Sequence, residues 1–344
     1  MRRSPALVLG PILGLSALIT LLVTAFAWPT SQTAPRHLPV GLAGPAAAVE
    51  HVRTGLNALG PDALDATVYP DRAAAVTAIE NRDIYGAIVV SPSGPEVLTA
   101  SAASPAVAQA LGEAAHRAAA QPVTTAAPVS NPASPQQLSP PLTTDVVAAP
   151  PADPRGAVFG LTLVPMVIGG LLTGAALSML PLGRAVRIGA AISVALIAGF
   201  SVAAVLQTWL DVLTGDYVTD AAVIALSVAA TALTILGLRA ALGIAGIGVG
   251  AGILVALGVP LSGAMSAPEL LPTGWGTLGT FLPPGAAATA LRSTAYFDGA
   301  GSAASLTILG CWALGGLALA LLPGPIRLPV PSGRSEASPA VRTT

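Results

Sequence analysis

A helical membrane protein carrying a small α/β domain outside the bilayer is what this sequence predicts, and three observations predict it. Four apolar runs, 156–180, 185–210, 221–242 and 243–263, follow one another with short polar punctuation. Each reaches the roughly 20 residues that cross a hydrocarbon core. Two more runs of that length, 6–28 and 303–323, flank this block, so six transmembrane helices are expected. Between the first run and the block, residues 36–122 alternate strand-like and helix-like patterns separated by turn residues.

The chain then divides into an N-terminal transmembrane anchor (1–28), an extracytoplasmic α/β domain (29–122) and a Pro/Ala/Ser/Thr-rich linker (123–155). A five-helix block (156–323) with an outer segment at 264–302 follows, and a cytoplasmic disordered tail (324–344) ends the chain. At 53% hydrophobic and 9% charged residues the composition excludes an ordinary water-soluble enzyme. The net charge of −1 gives no basic surface for nucleic acid. All 15 cationic side chains are arginine. The lone Cys311 rules out a disulfide framework or a cysteine metal cluster and is expected as a small buried hydrophobe.

Arg2 and Arg3 precede the first run, and Ala25-Phe26-Ala27 resembles a signal cleavage site. A signal core has roughly 7–15 apolar residues, which favours an uncleaved anchor over a cleaved signal. Threading from there puts both ends in the cytoplasm and 29–155 outside, in a multi-pass protein of the plasma membrane. Arg184, Arg187 and Arg239 then fall inside, as the positive-inside rule requires, and the loop with Asp211, Asp216 and Asp220 falls outside. On these boundaries the spans hold no Asp, Glu, Lys or His, which argues against ion-coupled transport.

Within the α/β domain the patterns give a strand at 38–42, a helix opened by Gly44-Pro45 and closed by Gly60-Pro61, and a strand at 66–69. A helix capped by Asp71 follows, then a continuous apolar strand at 84–90, which suits a central position, and a weaker one at 96–99. A last helix runs from Ser104-Pro105 to about 120, and a short strand is expected at 145–148.

Gly170 and Gly174 form a GxxxG pair, as do Gly246 and Gly250, which marks close helix packing either inside the bundle or across a homodimer seam. Residues 281–297 are expected as a short helix at the outer membrane surface, opened by Pro283, Pro284 and Gly285. Arg292 would face headgroups or water, with Tyr296 and Phe297 against lipid or the last span, so that the segment gates an outward-facing cavity. The alternative is an amphipathic cap packed on the bundle.

Without lysine there is no Walker A loop. His37, His51 and His116 lack metal-ligand spacing, and no nucleophile elbow appears. No catalysis, cofactor or metal is expected.

The order of one span, a folded outer domain and a five-span block resembles the permeases of type-2 ABC exporters and the related Pip (phage infection protein) membrane family. AAVTAIENRDIYGAIVV (74–90) is similar to the helix-then-strand segment of those outer domains. DPRGAVFGLTLVPMVIGG (153–170) resembles their entry into the second span, and FLPPGAAATALRSTAYFDGAG (281–301) their outer segment before the last span. The resemblance implies a permease-like exporter subunit for an apolar or amphipathic compound, powered by a separate ATP-binding subunit. Two departures, the few residues before the first span and the short 181–184 turn, point instead to a Pip-like envelope protein whose outer domain binds a partner or ligand.

Overall fold

The structure, a computed structural model, describes residues 16, 19–20, 23–28, 31–57, 60, 62–91, 94–120 and 142–322. Most of the predicted first span, most of the linker and the predicted tail lie outside these residues. The described chain is mostly helical, with a small mixed sheet and four helices long and apolar enough to cross a membrane.

The sheet domain follows the local patterns. Strand β1 (Leu38–Ala43) leads to α1 (Ala46–Asn57), β2 (Leu64–Tyr69), α2 (Arg72–Glu80), β3 (Gly86–Ser91), β4 (Gly94–Thr99), α3 (Pro105–Ala120) and β5 (Leu142–Asp145). Helix α2 starts where Asp71 accepts the Ala74 N–H at 2.8 Å, a side-chain N-cap. The strand order is β2-β1-β3-β4-β5, parallel except for the tight β3–β4 hairpin, so the apolar β3 is central. The last strand lies at 142–145 rather than 145–148, and Val146 N–H bonds back to Thr99 O at 2.8 Å. The end of the expected linker is therefore part of the domain.

Four long helices form the bundle: α4 (Ala157–Met179), α5 (Arg184–Ala204, prolonged by a π-turn at Val205–Trp209), α6 (Tyr217–Leu242) and, at the end, α10 (Ala303–Leu321). The most apolar stretch of α6 is 78% buried, against 22–39% in the other three, so α6 is the post around which they pack. Gly170 and Gly174 of α4 supply the close approach: a Cβ there would lie 2.7 Å from Thr231 Cβ and 2.6 Å from Ala232 O of α6. Arg187 donates to Leu180 O (3.0 Å) and Leu182 O (3.2 Å), placing a cation at the C-terminal end of α4.

The expected fifth span is shorter than predicted. Helix α7 (Ala245–Ala251) runs into a π-turn at Gly252–Leu257 and stops, about 20 Å at 1.5 Å per residue and short of the ~30 Å core. Pro260, with no N–H to donate, and Gly263 at φ +63° turn the chain back. Gly246 and Gly250 sit against Leu238 O and Ile235 Cδ1 of α6, so this GxxxG face is filled by the same chain.

After α7 a 3₁₀ turn (Pro268–Leu270), α8 (Trp275–Thr280) and α9 (Pro283–Tyr296) complete the chain order before α10. Helix α9 overturns the expectation of a surface helix. Pro283, Pro284, Gly285, Leu291 and Arg292 are buried among α4, α6 and α10, and only Thr289 and Tyr296 are partly exposed. Its residues are mostly Ala, Gly, Ser and Thr, which let neighbouring helices close on every side. Cys311, expected buried, lies exposed on the flank of α10.

Candidate functional site

The α/β domain does not stand off from the bundle. Ala267 and Leu270 join Leu38, Val40, Val97 and Val107 in one apolar cluster, and Phe297 joins Ala75, Ile79 and Leu98 in another. Arg36 adds polar stitching, its N–H to Glu269 O at 3.0 Å and its Nη1 to Leu271 O at 3.0 Å.

Within this seam lies a recess of ≈ 200 Å³ whose polar lining includes Arg82, Tyr85, Ser262, Glu269, Thr289 and Arg292. Arg82 reaches it because of how α2 ends. The Arg82 N–H bonds to Ile79 O and the Asp83 N–H to Ala78 O, a Schellman closure in which Arg82 stands at φ +63°. Glycine is the usual occupant there, and a side chain costs roughly 1–2 kcal/mol. The bent backbone sends the guanidinium to α9, where Nη1 donates to Thr289 O at 3.0 Å and to Ser293 Oγ, over the Phe297 ring at 5.3 Å.

Arg292 enters from the bundle side. Its side chain is 5% exposed, Nη2 donates to Ala264 O at 2.8 Å, and the guanidinium lies 4.8 Å from the Phe159 ring centroid. Among the described residues neither Arg82 nor Arg292 has a carboxylate within ion-pairing distance. The one acid in the lining, Glu269, accepts the Tyr85 hydroxyl at 2.8 Å. Burial, and then the nearby Glu269, raise the Tyr85 phenol so that it keeps its proton and donates. Burial lowers both guanidinium groups, Arg292 to about 10 with Arg82 adding to the effect, and both stay charged at neutral pH. The recess therefore carries two cations and one anion.

Of the residues singled out from sequence, Arg292, Tyr296 and Phe297 come together at this seam, but not as expected. Phe297 is buried in the domain core and the Tyr296 hydroxyl donates to Val212 O at 2.8 Å. Pro283, Pro284 and Gly285 start α9 away from the recess, and the four packing glycines lie inside the bundle. Arg82, Tyr85 and Glu269 were missed because two segments far apart in sequence, 82–85 and 268–270, meet only in the fold. The one local signal was Asn81-Arg82-Asp83, a helix exit without glycine.

The acidic loop is also rearranged. Asp211 is exposed, and Asp216 caps α6 by accepting the Thr219 N–H at 2.8 Å. Asp220, expected in solvent, lies in the first turn of α6, fully buried and bonded to Thr294 and Gln207. Among the described residues no group of three metal-ligating side chains forms; His37 and His116 are exposed, and the side chain of His51 lies outside the described atoms. Comparison with protein-family models, with curated proteins and with solved structures finds no match to this chain.

Arg82→Gly separates the two roles of this residue. Glycine relieves the φ +63° strain, so a pure turn residue would gain about 1 kcal/mol. A seam residue loses two charge-assisted hydrogen bonds, about 1.5–3 kcal/mol each. We expect a lower melting temperature and faster limited proteolysis between the domain and the bundle for the full-length protein in detergent. A melting point at or above that of the parent chain would assign Arg82 to the turn alone.

Proposed function

We propose that this is a multi-pass protein of the plasma membrane, with residues 29–155 on the outer face and both ends in the cytoplasm, whose α/β domain binds a ligand at its seam with the bundle. The observation that carries this reading is the recess itself, where Arg292 is buried with, among the described residues, one hydrogen bond and no acid paired to it. Buried, unpaired charge costs several kcal/mol, and folded proteins tolerate it where function uses it. Phe281–297 acts in this reading as the helix joining domain to bundle rather than as a membrane-surface gate.

The second reading is the exporter subunit powered by a separate ATPase. The convergence of the three stretches that resemble exporter permeases favours it: 74–90 brings Arg82 and Tyr85 to the seam, 153–170 brings Phe159, and 281–301 brings Arg292. Against it stand the connections at the bundle end away from the domain. Among the described residues, only the few between Met179 and Arg184, and between Leu242 and Ala245, connect helices at that end.

Two measurements decide. Alkaline phosphatase fused after Ala100 is expected to be active and after Ser335 inactive; the reverse pattern would overturn the placement. Purification of the full chain in mild detergent, followed by mass spectrometry, is expected to bring down no ATP-binding subunit. A stoichiometric ATPase would replace the first reading with the second.

A further inference from the structure

We propose that the seam recess binds a phosphate group, gripped by the guanidinium forks of Arg82 and Arg292; this rests on the ligand-binding reading above and names its chemistry. The space is sufficient, ≈ 200 Å³ against the roughly 10–15 Å³ one water needs. The charge is unbalanced, because Glu269 is the only acid among the lining residues and already holds the Tyr85 hydroxyl. Asp153, which shares a separate small cleft with Arg292, is engaged at the start of α4 by the Phe159 N–H at 2.8 Å. Among the described residues Arg292, nine-tenths buried, has a single hydrogen bond, to Ala264 O, and Arg82 makes its two bonds through Nη1 alone. The remaining N–H groups of two planar, permanently charged forks are thus left over beside a cavity.

A carboxylate offers two oxygens, which one guanidinium satisfies. A phosphate offers three or four, arranged to meet two arginines from different elements at once. The group can arrive as free phosphate or as the headgroup of a phospholipid, and the recess sits where domain and membrane helices meet.

The test uses the full chain in detergent, stripped of lipid. In one arm, thermal unfolding is followed against inorganic phosphate at constant ionic strength, with chloride as the control. In the other, phosphatidylglycerol is added and retained lipid is counted by native mass spectrometry. A saturable rise in melting temperature with phosphate alone identifies the free anion; retained phospholipid identifies the headgroup; either supports the site. Arg82→Gln is expected to weaken binding about 10-fold or more, the loss that goes with one charge-assisted hydrogen bond. Glu269→Gln keeps the Tyr85 bond, removes the competing charge and is expected to tighten binding several-fold. No saturable response to either probe, or weaker binding in Glu269→Gln, overturns the proposal. Neither result bears on the fusion pattern, and an inactive Ala100 fusion would overturn the outer placement while leaving the binding data untouched.

Discussion

Gly279→Ala is expected to abolish stable folding of the segment that returns the chain between α7 and α9. A Cβ at Gly279 would sit 1.7 Å from Leu261 O and 2.6 Å from Leu261 C, backbone atoms that no rotamer change can move. The same segment repeats the arrangement at Gly276 against Pro268 O and at Gly285 against Gly279 O, so relief at one contact tightens another. Overpacking of a well-packed interior costs about 1–3 kcal/mol, and contact with fixed backbone belongs at or above the top of that range. Gly248→Ala is the matched control, because nothing lies within 4 Å of its added methyl and α7 continues on both sides. It should gain about 0.5–1 kcal/mol. Melting of both variants by fluorescence-detected gel filtration checks the pair. A Gly279→Ala protein that melts with the parent would mean that the 258–285 backbone is looser than its contacts indicate.

Most of the α/β domain was legible because its elements announce themselves locally, β5 at the end of the expected linker being the exception. Asp71 caps α2, Ser104-Pro105 starts α3, and the uninterrupted apolar run at 84–90 becomes the central strand. The four long apolar helices were legible by length and hydropathy alone. What failed was the distinction between an apolar helix facing lipid and one buried in protein, which hydropathy does not encode. Residues 243–263 are apolar enough to span, yet Pro260 and the φ +63° at Gly263 fold them back. In 283–296 the aromatics drew attention to the membrane surface, whereas the dense Ala and Gly content was the better clue to a helix enclosed on all sides. Arg292, expected against headgroups or water, is buried instead. The recess could not be read at all, since Arg82, Glu269 and Arg292 meet only through the tertiary fold.

Asp220→Leu is expected to release α9 from α6 and to destabilise the chain by about 2–6 kcal/mol. Asp220 is fully buried, and its two carboxylate oxygens accept from Thr294 Oγ1 at 2.6 Å and Gln207 Nε2 at 3.1 Å. Removing it loses two hydrogen bonds to a charged acceptor, about 1.5–3 kcal/mol each, of which the long Thr294 contact to Leu291 O recovers only part. The neighbouring ties depend on the same alignment: Gln207 also donates to Gly215 O at 2.8 Å, and Thr214 Oγ1 donates to Ala295 O at 2.9 Å. Gly215 itself lies so close that a Cβ would be 2.2 Å from Thr294 O. Asp220→Asn is the discriminating partner, because its amide oxygen can still accept from Gln207, its NH₂ can donate to Thr294 Oγ1, and the Thr294 hydroxyl can turn to Leu291 O. That variant should lose only about 1 kcal/mol. Thermal melting of the three proteins in the same detergent gives the order parent, Asn, Leu, with the Leu protein well below the others. If Asp220→Leu melts with the parent, the apolar contacts of α9 hold it unaided, and the buried carboxylate has no part in fixing the helix that carries Arg292.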